Sequence, residues 1–346
     1  MAWTINNGSL FMNPTLYTGN GSTQSINVGF QPDFTWIKTR SGTTGTEGHR
    51  LQDAVRGSTK YLESNGTALE GTQAQGVTSF TSTGFNLGTD GSYNYNTAPI
   101  VSWNWKAGTT SGIVQGGASI TPSAYSFNQT SGFSIIKYQG TGANATVPHG
   151  LNAVPKMILF KSLANSISWI VYSSQLNISS SNCLRLNGTN AAFTESAWNG
   201  TRPTTSVFSL GPHNEANNSS GETIAYCFAD VQGFSKMGSY VGNGSTNGTF
   251  VYTGFKPAFV LYKKSSGTEN WFMHDNKRQG YNPDNEYLFP DLSNAEGSLN
   301  RINLLSNGFK ATTSDGGING SGATYIFMAF AENPITSSTG VPSTAR

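Results

Sequence analysis

The sequence predicts an all-β chain of three tandem antiparallel β-sandwich modules, of jelly-roll or related topology. Three observations carry this. A proline-led run occurs three times, as Pro32-Asp33-Phe34-Thr35-Trp36-Ile37-Lys38, Pro155-Lys156-Met157-Ile158-Leu159-Phe160-Lys161 and Pro257-Ala258-Phe259-Val260-Leu261-Tyr262-Lys263. Proline has no N–H for a sheet ladder and suits the first residue of a strand, and the apolar run behind it has strand length. A second apolar run begins 69 residues after each proline, at Val101, Ile224 and Ile326. Finally, Gly and Asn turn signals interrupt short runs of period-2 alternation throughout, the pattern of sandwiches and barrels. Each copy is near 100 residues, large enough to own a core and longer than a solenoid repeat.

In chain order, residues 1–16 form an N-terminal arm whose Trp3, Ile5, Leu10, Phe11 and Met12 can pack on something. Two readings stay open: a strand added to the first module, or a segment that docks on a larger assembly. The first module spans 17–108. In it Tyr17-Thr18-Gly19-Asn20-Gly21 reads as a strand end and hairpin turn. Phe34 and Trp36 share a face, Phe85 and Leu87 point inward, and Val101, Trp103 and Trp105 alternate into the core. Arg50 to Val55 could form a single helical turn; no other stretch has a helical period. Residues 109–132 are a Gly/Ser/Thr-rich connector, with Ile113, Ile120, Tyr125 and Phe127 expected to pack. The second module spans 133–236 and the third 237–334, with Trp169 and Trp271 each eight residues after the lysine of the organising run. Residues 335–346 are a tail.

Composition narrows function. Only 11% of residues are charged, against about 25% in an average domain. The net charge is +2 and no basic run stands out, so nucleic-acid binding is not expected. No stretch has the length of a signal peptide or a membrane span, and no membrane insertion is expected. Cys183 and Cys227 read as two free, buried thiols.

Chemistry-bearing patterns are sparse. Glycoside hydrolysis asks for two placed carboxyls; Asp53, Glu63, Glu70 and Asp90 are candidates, none with an acidic counterpart in both other modules. His49, His149, His213 and His274 occupy different module positions and show no metal-ligand spacing. No metal, cofactor or catalytic residue is therefore expected. The one charged cluster is His49, Arg50, Asp53 and Arg56. As function, it would present Arg and Asp to a sugar hydroxyl or carboxylate; as structure, Asp53 and Arg56 would pair and pin their loop to its own sheet. Trp36, Trp103, Trp105, Trp169 and Trp271 largely recur with the repeat, which favours core filling over sugar stacking.

Several strings resemble a domain repeated in virion proteins of tailed phages, marine and cyanobacterial ones especially. They are Tyr17-Thr18-Gly19-Asn20-Gly21-Ser22, residues 30–38, His49-Arg50-Leu51-Gln52-Asp53-Ala54-Val55-Arg56-Gly57, residues 79–88, Trp103-Asn104-Trp105-Lys106-Ala107-Gly108 and Phe330-Ala331-Glu332-Asn333-Pro334. The resemblance covers the first module and reaches the others only at their strands. It implies lectin-like sandwiches in structural, tail or fibre proteins and no catalytic residues. The expectation is a non-enzymatic, homo-oligomeric virion surface protein, tail-fibre- or adhesin-like. Its expected partners are other phage virion proteins and host surface glycans. A capsid decoration or tail scaffold without a receptor role is the alternative, and a glycan depolymerase a third reading.

Overall fold

Each proline-led run becomes an inner strand of an antiparallel sheet, and the strand order repeats. In the first copy the order across the sheet is Met12–Thr18, Pro99–Trp105, Phe34–Thr39, Arg50–Asp53. The second copy runs Phe133–Gln139, Glu222–Ala229, Pro155–Ser162, Ile170–Ser173, with Ala124–Asn128 added at its edge. In the third the order is Ser235–Val241, Thr324–Ala331, Pro257–Lys264, Trp271–Asp275. The computed structural model describes residues 5, 7–41, 47–278, 282 and 284–332; the expected tail, 335–346, lies outside them. Pro155 and Pro257 open their strands beside a β-bulge, where a missing N–H breaks no ladder. The turn before each run holds a glycine at positive φ, Gly29, Gly150 and Gly254, a conformation that L side chains rarely adopt.

Three details differ from the sequence reading. The first sheet starts at Met12, inside the stretch read as an arm. There Met12 and Ile5 join the core and Phe11 packs edge-on against Phe234, so this part of the arm is an added strand. The connector also contributes a strand, Ala124–Asn128, with Ile120 and Phe127 buried. Arg50–Asp53 is a strand followed by a turn, where a helical turn was expected; pairing with Phe34–Thr39 claims its backbone groups. Among the described residues the helices are single turns, Gly91–Asn94 and Asn214–Asn217, and a 3-10 turn, Gly8–Leu10.

The alternation of side chains decides where the cores sit. On one face of the sheets, Phe34, Trp36, Trp103 and Trp105 meet Met157, Leu159, Tyr226 and Phe228, and Phe259, Leu261, Met328 and Phe330, in one cluster shared by all three copies. In the first two copies the opposite faces cover smaller layers of their own, while in the third Val260 and Tyr262 pack with Val251, Leu304 and Phe309 as part of the shared cluster. Ile37 and Ile100 pack with Val77, Phe85 and Leu87 in the first copy, and Ile158 and Phe160 with Val147, Phe208 and Leu210 in the second. At the centre stand the equivalent residues Trp105, Phe228 and Phe330, with ring centroids 6.3, 5.8 and 6.0 Å apart. That near-equilateral triangle marks a pseudo-threefold axis. The copies are three sectors around one aromatic axis rather than beads joined by linkers.

A buried asparagine recurs behind each sheet. Asn94 donates to Gly88 O and Asn20 Oδ1, and Asn319 to Thr313 O and Asn243 Oδ1. Asn217 donates to Gly211 O and Ala143 O. Each amide accepts a backbone N–H in return, from Asn20, Asn243 or Thr141. All three asparagines are fully buried, so the bonds satisfy amides that water cannot reach.

The shared axis has a measurable consequence. Trp105→Ala removes a side chain that touches the other two copies and should cost about 3–5 kcal/mol. Calorimetry should show one transition for the whole chain, shifted down; a variant in which the second or third copy melts separately at its original temperature would contradict the shared core.

Candidate functional site

The charged cluster singled out in the sequence sits where the first copy meets the other two. Asp53 ends its strand fully buried. It accepts the Arg56 backbone N–H at 2.8 Å, Arg56 Nε at 2.5 Å and the Tyr226 hydroxyl of the second copy at 2.7 Å. Arg56, also buried, donates on to Leu51 O at 2.9 Å and Tyr226 Oη at 3.3 Å. Burial works against the guanidinium charge, yet Asp53 holds the Arg56 pKa above its ordinary value. The pair therefore pins its loop to the neighbouring copy as well as to its own sheet.

His49 is equally enclosed. Its Nε2 lies 2.9 Å from Phe289 O in the third copy and its Nδ1 2.9 Å from Trp36 Nε1. A carbonyl only accepts and an indole N–H only donates, so the proton sits on Nε2 and the ring is neutral. Burial pushes its pKa well down, in the same sense. Arg50 alone of the four keeps some contact with solvent. It pairs with Glu63, donates to Ser92 Oγ at 3.2 Å and lies 4.7 Å over the Tyr61 ring. The structure thus brings the four residues together as a seam between copies, with no free face on His49, Asp53 or Arg56 for a ligand.

The seam repeats around the axis. Trp169 and Trp271 stand where His49 does, one residue before the strands Ile170–Ser173 or within Trp271–Asp275 that match Arg50–Asp53. Trp169 Nε1 donates to Glu63 O of the first copy and Trp271 Nε1 to Arg185 O of the second, both at 2.8 Å. Behind each acceptor a backbone bond closes the same contact: Glu70 N to Leu163 O, Ala192 N to Ser265 O, and Glu296 N to Arg40 O. Every copy lays a hairpin over the next, and the third lays its own over the first. The sequence reading missed the matching acid. Asp275 stands where Asp53 does, pairs with Arg278 at 2.6 Å and accepts Trp103 Nε1 of the first copy at 3.0 Å. Burial would raise its carboxyl, but Arg278 and two backbone amides hold it below the ordinary range. The signal was present as Asp275-Asn276-Lys277-Arg278, with the spacing of Asp53-Ala54-Val55-Arg56.

The lysines that close the proline-led runs, Lys38, Lys161 and Lys263, have no measurable exposure. Lys161 Nζ donates to Ile167 O and, across the seam, to Thr67 O; Lys38 and Lys263 donate to Thr39 O and Lys264 O. Burial lowers each to about 8.

Elsewhere, Cys183 and Cys227 are free and buried, and burial pushes each thiol up to about 12. Trp36, Trp103, Trp105, Trp169 and Trp271 are all buried. Glu63 and Glu70 are engaged along the seam by Arg50 and Arg56, and Asp90 caps the turn Gly91–Asn94. Among the described residues, no group of three His, Cys, Asp or Glu side chains is placed to hold a metal ion, and no helix is long and apolar enough to cross a membrane. A cavity of about 290 Å³ opens between the connector and the second copy, lined by Val114, Phe127, Gln129, Asn152 and Ser206.

Comparison with known families places this architecture. Residues 7–334 match the family described as Domain of unknown function (DUF7483). The chain belongs to this family. The match runs through all three copies, so the DUF7483 unit is the whole ring rather than one sandwich. No curated protein and no solved structure matches the chain.

Two outcomes test the seam. Arg56→Met leaves the Asp53 carboxylate buried without its cation and should cost about 3–5 kcal/mol in chemical denaturation, the range for breaking a buried pair; a cost under about 1 kcal/mol would mean that Asp53 is not held as a buried ion. The lysines set a pH dependence. Their folded pKa, about 8, lies below the ordinary 10.5, so above pH 8 the unfolded chain binds more protons and stability rises with pH. The thiols, raised from 9 to about 12, act in the opposite sense only from about pH 9. The midpoint of urea unfolding should therefore climb between pH 8 and 9, and Lys161→Met should flatten part of that climb; a midpoint that falls over this interval would contradict it.

Proposed function

We propose that this protein is a non-enzymatic surface component of a tailed-phage particle, tail-fibre- or adhesin-like, that holds host-envelope glycans. The observation that carries the reading is how the charge is used. The one charged loop, with its counterpart at Asp275 and Arg278, is consumed in holding the copies together. What remains outside is largely hydroxyl and amide surface in a chain only 11% charged, suited to uncharged polar ligands. Resemblance of the first copy to repeated virion domains supplies the setting. A closed ring with a fully packed axis suits a part that must keep its shape on a particle. Display of many such rings would turn weak glycan contacts into firm attachment by avidity.

Purified protein should bind marine or cyanobacterial host cells, or their envelope polysaccharides, saturably and without releasing reducing ends. Absence of binding at high concentration would end the adhesin reading. Labelled copies spread over the shell in electron micrographs, rather than on the tail, would point to a decoration protein instead.

A further inference from the structure

With three copies of one fold in one chain, each position has two internal references. Residues that the common fold requires recur; a large apolar residue that is exposed and does not recur needs another reason. The strand Phe250–Tyr252 holds two. It pairs with Gly308–Ala311 as Gln24–Asn27 pairs with Gly84–Leu87 and Ala145–Pro148 with Val207–Leu210. The central residue is buried in all three: Val251, Ile26 and Val147. The flanking positions are Ser25 and Asn27 in the first copy and Thr146 and Pro148 in the second, but Phe250 and Tyr252 in the third. These rings are 43% and 60% exposed, and among the described residues only Tyr95 joins them as an exposed aromatic side chain.

Register places their neighbours. Phe250 pairs with Lys310 and Tyr252 with Gly308, while Lys310 pairs in turn with Asn303. One sheet face thus carries two rings, an ammonium and an amide. Phe250 lies across Gly308, where an added Cβ would stand 3.1 Å from its ring. Lys310 Nζ is held by Asn247 Oδ1 at 2.5 Å, and Asn303 Oδ1 is shielded without a hydrogen-bond partner. Val241 is 56% exposed, and its carbonyl accepts the hydroxyl of Thr249, the residue before Phe250.

We propose that this face is a platform for an internal stretch of an uncharged polysaccharide whose sugar rings lie flat. The proposal rests on the glycan-binding reading and assigns it to one copy. Aromatic faces offer apolar contact to the C–H faces of sugars, with a polar rim for the hydroxyls. Here the rim is Asn247 and the tethered Lys310. Size argues against a protein occupant. Two half-exposed rings offer on the order of 200 Å², whereas a stable protein partner covers about 800 Å² on each side. Both rings stand on the edge strand of their sheet, one residue apart on the same face, an arrangement that suits successive sugars within a chain.

The test uses the full chain, titrated calorimetrically with cellohexaose, chitohexaose and mannohexaose, and mixed with host cells. Phe250→Ser with Tyr252→Asn installs the residues that the first copy carries at these positions, so folding should survive; Tyr95→Ala is the control for exposed aromatics. The double variant should bind at least tenfold more weakly with an unchanged melting temperature, and Tyr95→Ala should bind as the parent does. If the parent binds and the double variant stays within twofold of it, the platform is wrong while the glycan-binding reading stands. If the parent binds neither hexasaccharides nor cells, both fall. Should the double variant melt early, Tyr252→Ala alone decides by the same tenfold and twofold limits.

Discussion

The whole architecture depends on three aromatic side chains meeting on one axis. Trp105, Phe228 and Phe330 end equivalent strands, and each strand can bury its inner face only because the other two are present. A sheet with one apolar face must cover it. In each sector the second layer covers the outer face of the main sheet, and the neighbours cover the inner one. Burying Trp, Phe or Met here contributes roughly 1.5–3 kcal/mol per side chain, and that contribution exists only in the assembled ring. The seam then fixes which sector follows which. A head-to-tail contact repeated with a constant rotation closes into a ring when the rotation divides the circle. The bonds from Trp169, Trp271 and His49 to the preceding copy, each to the same carbonyl position, are that contact made three times.

Divergence among the copies follows the cost of burying charge. Where Asp53 and Asp275 sit, the residue facing each from the adjacent copy is a hydrogen-bond donor, Tyr226 or Trp103. At the third corner the equivalent positions are Ser173 and Met328, so neither a carboxylate nor a donor is present. Acid and donor are kept or lost together, because a buried carboxylate without its partners costs several kcal/mol while an uncharged pair costs little. The same holds for the small hairpins. Tyr61 and Tyr287 lie opposite Gly71 and Gly297, which leave room for their rings; in the second copy the aromatic is Phe193 and its partner is the smaller Cys183.

How much of this could be read in the sequence follows from the same physics. Period-2 alternation and the constant 69-residue spacing are local properties, and they identified the strands, their inward faces and the buried tryptophans. That the inward faces meet one another depends on the rotation between sectors, which leaves no mark in local periodicity. The cluster His49, Arg50, Asp53 and Arg56 was visible as the densest chemistry in the first copy, but its role was set by Tyr226 and Phe289, more than 170 residues away. Asp275 and Arg278 could have been found by spacing alone. They were hidden because His49 is answered by tryptophans, so the surrounding string no longer aligns.

Pseudo-symmetry also separates two kinds of aromatic residue that composition cannot. An aromatic that recurs at equivalent positions and is buried answers to the axis, as Trp105, Phe228 and Phe330 do, or to a second layer, as Phe85, Phe208 and Phe309 do. Replacing it would disturb contacts that three sectors hold in common. Phe250 and Tyr252 answer to neither, since Ser25 and Asn27 occupy the same backbone without loss of the strand. Keeping two such rings in water runs against the hydrophobic effect and raises the risk of association. Among the described residues no other ring packs against either of them, and two such exposed rings set this strand apart from its two counterparts.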